Sequence, residues 1–430
     1  MTEACLYGKT DVARNLLELE DFNPNNPFFW TAACKHGHID IVRLLLADSR
    51  ADPSIKDNIA IKMAASGGHV EIVRLLLEDK RVDPAAEEDC ALQFAIQHPD
   101  VVRVLLKDER VDPTAQNNAA IQLASVNGHA DVVRLLLEDG RVDPSAQKNE
   151  SIRFASRRGH ADVVRLLLED PRVDPSADDN SAIRFASSNG HTDVVRLLLA
   201  DQRVDPSSLG NAAIQEASRR GYADLVSQLL EDPRVNPSAH DNYAIRFASW
   251  SGHTDVVRRL LVHERVNPSA RHNEPIRDAI RGSRYAVVKL LLEHNEQILQ
   301  QSNVKLECLD FSKLSTDDIE IINSCAPMRR VWRKWTLNQE LRKRQQEVRA
   351  LRSELLSVYT ETIERVKSCS FKLSGPDLNL TLEDSSHVFL ALRKHETVIP
   401  QLVRSINDLA TVGEKRKVCD SVESLDKCIL

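Results

Sequence analysis

The sequence predicts an all-α protein, in which a solenoid of short helical repeats is followed by a mostly helical C-terminal extension. Two observations predict this fold. A phrase that reads DVVRLLL in its most regular form returns every 31 residues over about two thirds of the 430-residue chain. Each unit also shows two short helical segments whose apolar faces only a neighbouring unit can cover.

One position of the repeated phrase sets the register of the units. It is arginine in most copies, and successive copies are 29 or 31 residues apart. Ten units of one type therefore run from the N-terminus to about residue 294, and we predict a repeat domain over residues 1–294. The residues at this position are Arg14, Arg43, Arg74, Arg103, Arg134, Arg165, Arg196, Ser227, Arg258 and Lys289.

The unit from residue 172 to residue 202 shows the order of the elements. RVDP predicts a turn, because proline disfavours helix at the preceding residue. The first helix carries apolar residues at helical spacing over about two turns, from Ala182 to Ala186 and including Phe185. A turn at Gly190 then leads to a second helix with a broad apolar face between residues 194 and 199.

An asparagine recurs where the first helix begins. A short polar side chain at such a position can accept hydrogen bonds from the free N–H groups of the first helical turn. We therefore predict that this asparagine is a turn former or a helix N-cap. The column contains Asn58, Asn118, Asn149, Asn180, Asn211, Asn242 and Asn273, with Asp89 in the shorter unit.

The units resemble ankyrin repeats. Units of that family carry T-P-L-H-x-A, then G-H, then an apolar V-V-x-L-L-L helix, with a usual period of 33. In this sequence S-A-I-R-F-A occupies residues 181–186, Gly190 and His191 keep the G-H pair, and VVRLLL spans residues 194–199. The resemblance implies stacked helix pairs that present a groove to another protein.

Two departures from the family pattern have structural consequences. About three residues are missing between the RVDP turn and the first helix, where the family extends a β-hairpin finger, so we predict blunt fingers. The histidine of T-P-L-H is also replaced, so its hydrogen bonds cannot be carried over. The replacing residues are Lys62, Gln93, Gln122, Arg153, Arg184, Gln215, Arg246 and Arg277.

Two columns that hardly vary are interpreted as structural, because each copy would face a different part of any partner. One is the arginine before the RVDP turn, with nearby acids such as Asp201 as ion-pair partners. Its members are Arg50, Arg81, Arg110, Arg141, Arg172, Arg203, Arg234 and Arg265. The other is the histidine after the glycine between the helices, at positions 38, 69, 129, 160, 191 and 253.

A binding surface is expected where the units differ, on the concave side of the stack. Those positions are the shortened fingers and the ends of the first helices. Tryptophan, tyrosine and arginine are frequent interface anchors, so we predict a patch of Tyr243, Trp250, Arg219 and Arg220, which differ from their column mates. The full set of candidate protein-binding residues is Lys148, Arg157, Arg158, Asp178, Asp179, Arg219, Arg220, His240, Tyr243, Trp250 and Arg271.

The C-terminal region, residues 295–430, is predicted to be mostly helical, with a long basic helix from about 329 to 367. Nine basic and two acidic residues between Arg329 and Arg352 give a local charge of about +7, against about −8 for the repeat domain. A short a/d pattern in this helix favours packing against the repeats or a weak homodimer over a long coiled coil. We also predict a small hairpin at 371–382 and a helix at 385–399.

These features favour a non-catalytic scaffold or adaptor that binds a protein, with neither cofactor nor metal. No phosphate-binding loop, nucleophile elbow or HExxH motif supports an enzyme, and the negative repeats argue against nucleic acid as the main ligand. The chain shows no signal peptide or membrane span, so we expect a cytoplasmic protein, with the nucleus as a second location. Two other readings stay open: a ubiquitin-ligase substrate adaptor using the tail, and a nuclear regulator using the basic helix.

Overall fold

The computed structural model describes residues 1–295 and 304–372. It divides the chain into two compact units, of which the first is Met1–Leu309 and the second begins at Asp310. The predicted division into residues 1–294 and 295–430 stays our proposal. Apart from Phe371 and Lys372, the predicted hairpin and the helix after it lie outside the described residues.

Ten helix pairs occupy the first unit, and the part of the chain that the structure describes contains no strand. The prediction of an all-α repeat solenoid is therefore confirmed. The first helices of the pairs are α1 Thr2–Tyr7, α3 Pro27–Lys35, α5 Ile55–Ser66, α7 Ala86–Phe94, α9 Ala115–Asn127, α11 Ala146–Arg158, α13 Ala177–Asn189, α15 Ser208–Arg220, α17 Ala239–Ser251 and α19 Ala270–Arg281. The second helices are α2 Thr10–Leu17, α4 Ile39–Ala47, α6 Val70–Glu78, α8 Pro99–Leu105, α10 Ala130–Glu138, α12 Ala161–Glu169, α14 Thr192–Ala200, α16 Ala223–Glu231, α18 Thr254–Leu261 and α20 Tyr285–His294.

The core of each unit is made by a few apolar residues at helical spacing. In α13 and α14, Ile183, Ala186, Val195 and Leu198 have no exposed surface. Burying a branched aliphatic side chain of this size stabilises the fold by roughly 1.5–3 kcal/mol. Since the same columns are apolar in nearly every unit, one continuous core runs through the stack.

Each blunt finger is a run of three residues with left-handed backbone. In the α13 unit these are Asp178, Asp179 and Asn180, all with φ of 56°. A left-handed conformation costs an ordinary residue about 1–2 kcal/mol, so interactions elsewhere must stabilise the run. The prediction of shortened fingers is confirmed.

The asparagine that ends this run joins two units. Of its two predicted roles, the structure agrees with the turn former, whereas the helix N-cap is wrong. Asn180 Oδ1 accepts a hydrogen bond from the backbone N–H of Asp205 in the next unit, over 2.7 Å. A helix N-cap has extended backbone, whereas Asn180 is left-handed. The equivalent bonds join Asn58 to Asp83, Asn118 to Asp143, Asn149 to Asp174, Asn211 to Asn236 and Asn242 to Asn267.

The arginine before each RVDP turn also joins neighbouring units, which confirms its structural role. Arg203 Nη2 lies 2.6 Å from Asp201 Oδ2, while Nη1 donates to the carbonyl oxygen of Val173 over 2.8 Å and Nη2 to that of Leu168 over 3.0 Å. The hydrogen bond from Arg203 lowers the pKa of the Asp201 carboxyl. The same Asp–Arg pair occurs in seven units, whereas Arg265 follows His263 instead.

The histidine column makes a third contact between units, as its structural interpretation predicts. His191 Nε2 donates to the carbonyl oxygen of Arg157 over 3.0 Å. The ring covers Gly159, where an added Cβ would lie 2.6 Å from His191 Nδ1. Gly159 has φ of 85°, so both its backbone and the ring above it require glycine.

The second unit is described as far as residue 372. Its helices are α21, Thr316–Ser324, and α22, Ala326–Lys372. A capping box formed by Ser315 and Asp318 begins α21. None of the described helices has both the length and the apolar character that crossing a membrane requires.

Candidate functional site

The first helices form the inner side of the repeat stack. They contact one another more extensively than the second helices do, so the stack is tighter on their side. The fingers and the last turns of these helices border this inner face, where the candidate residues were predicted.

An apolar stripe runs along the inner face, one side chain per unit. We use this name for Phe94, Leu123, Phe154, Phe185 and Phe247. Phe94 is 43% exposed and Leu123 is 37% exposed, whereas the other three are half-buried. Glu216 interrupts the stripe in the α15 unit.

The sequence interpretation missed this stripe. Phe185 was grouped with Ala182, Ile183 and Ala186 because all four are apolar at helical spacing. One signal was present: the column of Phe185 contains Glu216 and Asp278, whereas the column of Ile183 admits no charged residue. A repeat position that is occupied by glutamate or aspartate in some units is rarely part of the core, because unpaired charged side chains are almost never fully buried.

Two of the predicted anchors belong to one aromatic cluster on α17. The rings of Tyr243 and Phe247 stack with centroids 3.9 Å apart, and Trp250 meets Phe247 edge-on at 6.4 Å. Arg246 lies over the Phe247 ring at 5.9 Å. Trp250 is 55% exposed, whereas Tyr243 and Phe247 are half-buried, so the cluster presents mainly its tryptophan ring to solvent.

Pairs of arginines end α11 and α15. Arg157 and Arg158 are exposed and form no ion pair with any described residue, although the Arg157 guanidinium lies 5.7 Å from the Phe185 ring. In α15, Glu216 lies 2.7 Å from Arg219 and 3.8 Å from Arg220. We call these four residues the arginine pairs. The aligned positions of α13 are Ser188 and Asn189, so the pairs occur in alternate units.

Some of the candidate residues in the fingers contact other residues of the array, and the others are exposed to solvent. Asp178 forms an ion pair with Arg153 at 2.8 Å, His240 Nδ1 lies 3.1 Å from Gln215 Nε2, and Arg271 lies 3.6 Å from Asp241. Lys148 and Asp179 are exposed. Of these finger residues, His240 is connected to the aromatic cluster of α17, because its carbonyl oxygen accepts a hydrogen bond from Arg246 over 3.4 Å.

Several of the residues that replace the histidine of T-P-L-H link neighbouring units, whereas Gln122 and Arg184 donate to backbone carbonyls of their own unit. Arg153 Nε donates to Ser181 Oγ of the next unit over 2.7 Å, and Arg246 forms an ion pair with Glu274 at 2.6 Å. Lys62 pairs in the same way with Glu87. These side chains form a polar floor next to the apolar stripe and are not free to bind a partner.

A family model described as ankyrin repeats, three copies, matches the chain in overlapping stretches from residue 31 to residue 302. The chain belongs to the ankyrin repeat family. The matched stretches are residues 31–117, 61–149, 97–179, 152–241 and 214–302. No curated protein matches this sequence.

Ankyrin repeats generally mediate protein–protein interaction and are generally non-enzymatic. The inner face of this ankyrin array carries the exposed side chains of Trp250, Arg157 and Arg158 as well as polar side chains that are paired between units. Among the described residues, no group of histidine, cysteine, aspartate and glutamate could hold a metal ion.

Proposed function

We propose that this ankyrin repeat protein is a non-catalytic scaffold or adaptor that binds another protein through the inner face of units α11 to α17. The observation that supports this proposal best is the aromatic cluster of Tyr243, Phe247 and Trp250, in which Trp250 is 55% exposed. Fully desolvated aromatic anchors of this kind often contribute 2 kcal/mol or more to a protein interface, by an order-of-magnitude estimate. The cluster lies one unit from Arg219 and Arg220.

A second candidate function rests on the basic helix α22. Arg330, Arg333, Lys334 and Arg342 are all exposed, so this segment presents several positive charges to solvent. It would suit an acidic partner or a nuclear import receptor, as in a nuclear regulator. The ubiquitin-ligase adaptor and the weak homodimer through the tail stay predictions. The cytoplasmic location, with the nucleus as a second location, also stays a prediction.

The leading proposal is tested by quantitative proximity labelling with the full chain in cells. The test variant carries Tyr243→Ala, Trp250→Ala, Arg219→Ala and Arg220→Ala. The matched control carries Arg134→Ala, Arg165→Ala, Arg196→Ala and Arg258→Ala on second helices, where these side chains are exposed. Circular dichroism and thermal unfolding establish that both variants are folded.

We expect a set of labelled proteins that the control retains and the test variant loses. If the two variants retain the same proteins, the inner face does not bind them and the proposal is wrong. Loss of labelling only after the exposed basic residues of α22 are replaced by glutamine would support the second candidate instead.

A further inference from the structure

We infer that the partner segment is an extended, acidic chain that places every third residue at a successive ankyrin unit. This inference rests on the proposed function and specifies the chemistry of the partner. It follows from how the apolar stripe and the arginine pairs alternate along the inner face.

The spacing of the units matches an extended chain. Packed helices lie about 8–10 Å apart, so one unit advances the inner face by that distance. A polyproline II chain rises about 3.1 Å per residue, and three residues therefore advance about 9.3 Å. Side chains at positions i, i+3 and i+6 of such a segment would each meet the same site in successive units.

The apolar stripe is interrupted within the units from α11 to α17, which disfavours a helical partner there. A helix bound in a groove needs a continuous hydrophobic surface for its apolar stripe. Here the carboxylate Glu216 interrupts the stripe between Phe185 and Phe247. An extended chain can place single side chains at separate sites, and its free backbone carbonyls can accept hydrogen bonds from the arginines.

The arginine pairs determine the charge of the partner. Arg157 and Arg158 form no ion pair with any described residue, and one carboxylate, Glu216, is shared by Arg219 and Arg220. Both sites therefore retain positive charge that an acidic side chain would neutralise. Because the pairs are two units apart, the matching acidic residues lie six positions apart in the partner.

The four units from α11 to α17 predict the order of the side chains in the partner. An acidic residue meets Arg157 and Arg158, and an apolar residue three positions further meets Phe185. A second acidic residue meets Arg219 and Arg220, and a second apolar residue meets Trp250. Acidic and apolar residues therefore alternate at intervals of three.

The test is selection of random 16-residue peptides displayed on phage against the full-length chain, followed by fluorescence anisotropy on the selected peptides. We expect a consensus with acidic and apolar residues alternating every third position and with binding that weakens as salt rises. The double variant Arg157→Glu, Arg158→Glu should weaken binding about tenfold or more. The control variant Arg165→Glu, Arg196→Glu should bind as the unmodified chain does.

Replacing the acidic residue of the peptide by lysine should restore binding to Arg157→Glu, Arg158→Glu and abolish it in the unmodified chain. The inference is overturned if the consensus has helical spacing, if it is basic, if the Arg157 and Arg158 variant binds equally well, or if no peptide is enriched. The labelling experiment separates this inference from the proposed function. If one of these results is found while the labelling of cellular partners still depends on Trp250, the proposed function stands and only the extended acidic partner is rejected.

Discussion

Asn180 Oδ1 accepts a hydrogen bond from the backbone N–H of Asp205, over 2.7 Å, and thereby joins the finger of one ankyrin unit to the turn of the next. Asn180 is buried in a left-handed conformation. Asparagine tolerates that conformation better than most residues and also has the acceptor that the next unit needs. One side chain thus stabilises both the shape of the finger and the stacking of two units.

Replacing Asn180 with alanine should lower the free energy of unfolding by about 1–3 kcal/mol, because the N–H of Asp205 loses its partner. Urea unfolding followed by circular dichroism measures the change, and hydrogen exchange of residues 203–206 shows where it arises. Asp179→Ala is the control, since Asp179 is equally left-handed but exposed. Equal losses in both variants would mean that backbone strain, not the bond between units, accounts for the effect.

Replacing Gly159 with alanine should destabilise the array by about 1 kcal/mol or more, since the new Cβ requires a left-handed alanine and meets the His191 ring. Gly140→Ala is the control: nothing lies within 4 Å of its added Cβ, and its φ is not positive. We expect it to leave stability unchanged or raise it by about 0.4–1 kcal/mol. The measurement is thermal unfolding. If both variants shifted the unfolding temperature equally, this account of the histidine column would be wrong.

Replacing Ser187 with alanine should raise the free energy of unfolding by about 1 kcal/mol, because its hydroxyl is fully buried without a hydrogen-bond partner. Alanine already occupies this column at Ala65, which is also fully buried. The neighbouring Ser188, whose hydroxyl donates to the carbonyl oxygen of Phe185 over 3.1 Å, provides the control variant Ser188→Ala. A lower urea midpoint for Ser187→Ala than for the control would show that the buried hydroxyl is satisfied.

Acid should destabilise the array through the Asp–Arg pairs. The hydrogen bond from Arg203 lowers the pKa of Asp201 below that of the unfolded chain, near 3.9. Its contribution is therefore complete above that pH and is lost as the pH falls below it, through the lower folded pKa. Asp201→Asn should weaken folding at pH 7 and flatten the pH dependence of the urea midpoint between pH 5 and about 2.5. The matched control is Asp193→Asn at an exposed position of α14, and equal flattening of the pH dependence in the two variants would contradict this account.

The fold was predictable from the sequence because every unit repeats the same information. The 31-residue period, the RVDP turn and the apolar columns indicate one helix pair per unit, and the family match agrees with it. The missing residues before Asn180 also predicted the blunt finger. A single short apolar segment could be a helix or a strand, but the same pattern in ten units identifies it as a helix.

The contents of the inner face were only partly predictable. Trp250 and Tyr243 were predicted because they differ from the residues at the same position of other units, but Phe247, which joins them, was not among the predicted residues. Helical spacing alone does not distinguish a side chain that faces the next unit from one that faces solvent, since both recur with the same period.

Sequence was sufficient for the register, the number of helix pairs and the columns that serve the repeat, because these follow from local periodicity. The contacts that these recurring residues form were decided by the neighbouring units. Asn180 accepts a hydrogen bond from Asp205 of the next unit and not from its own helix, and the His191 ring packs on Gly159 of the preceding unit. These choices depend on the left-handed finger and on the position of the adjacent unit. A local sequence pattern contains neither, because both arise only when the units are stacked.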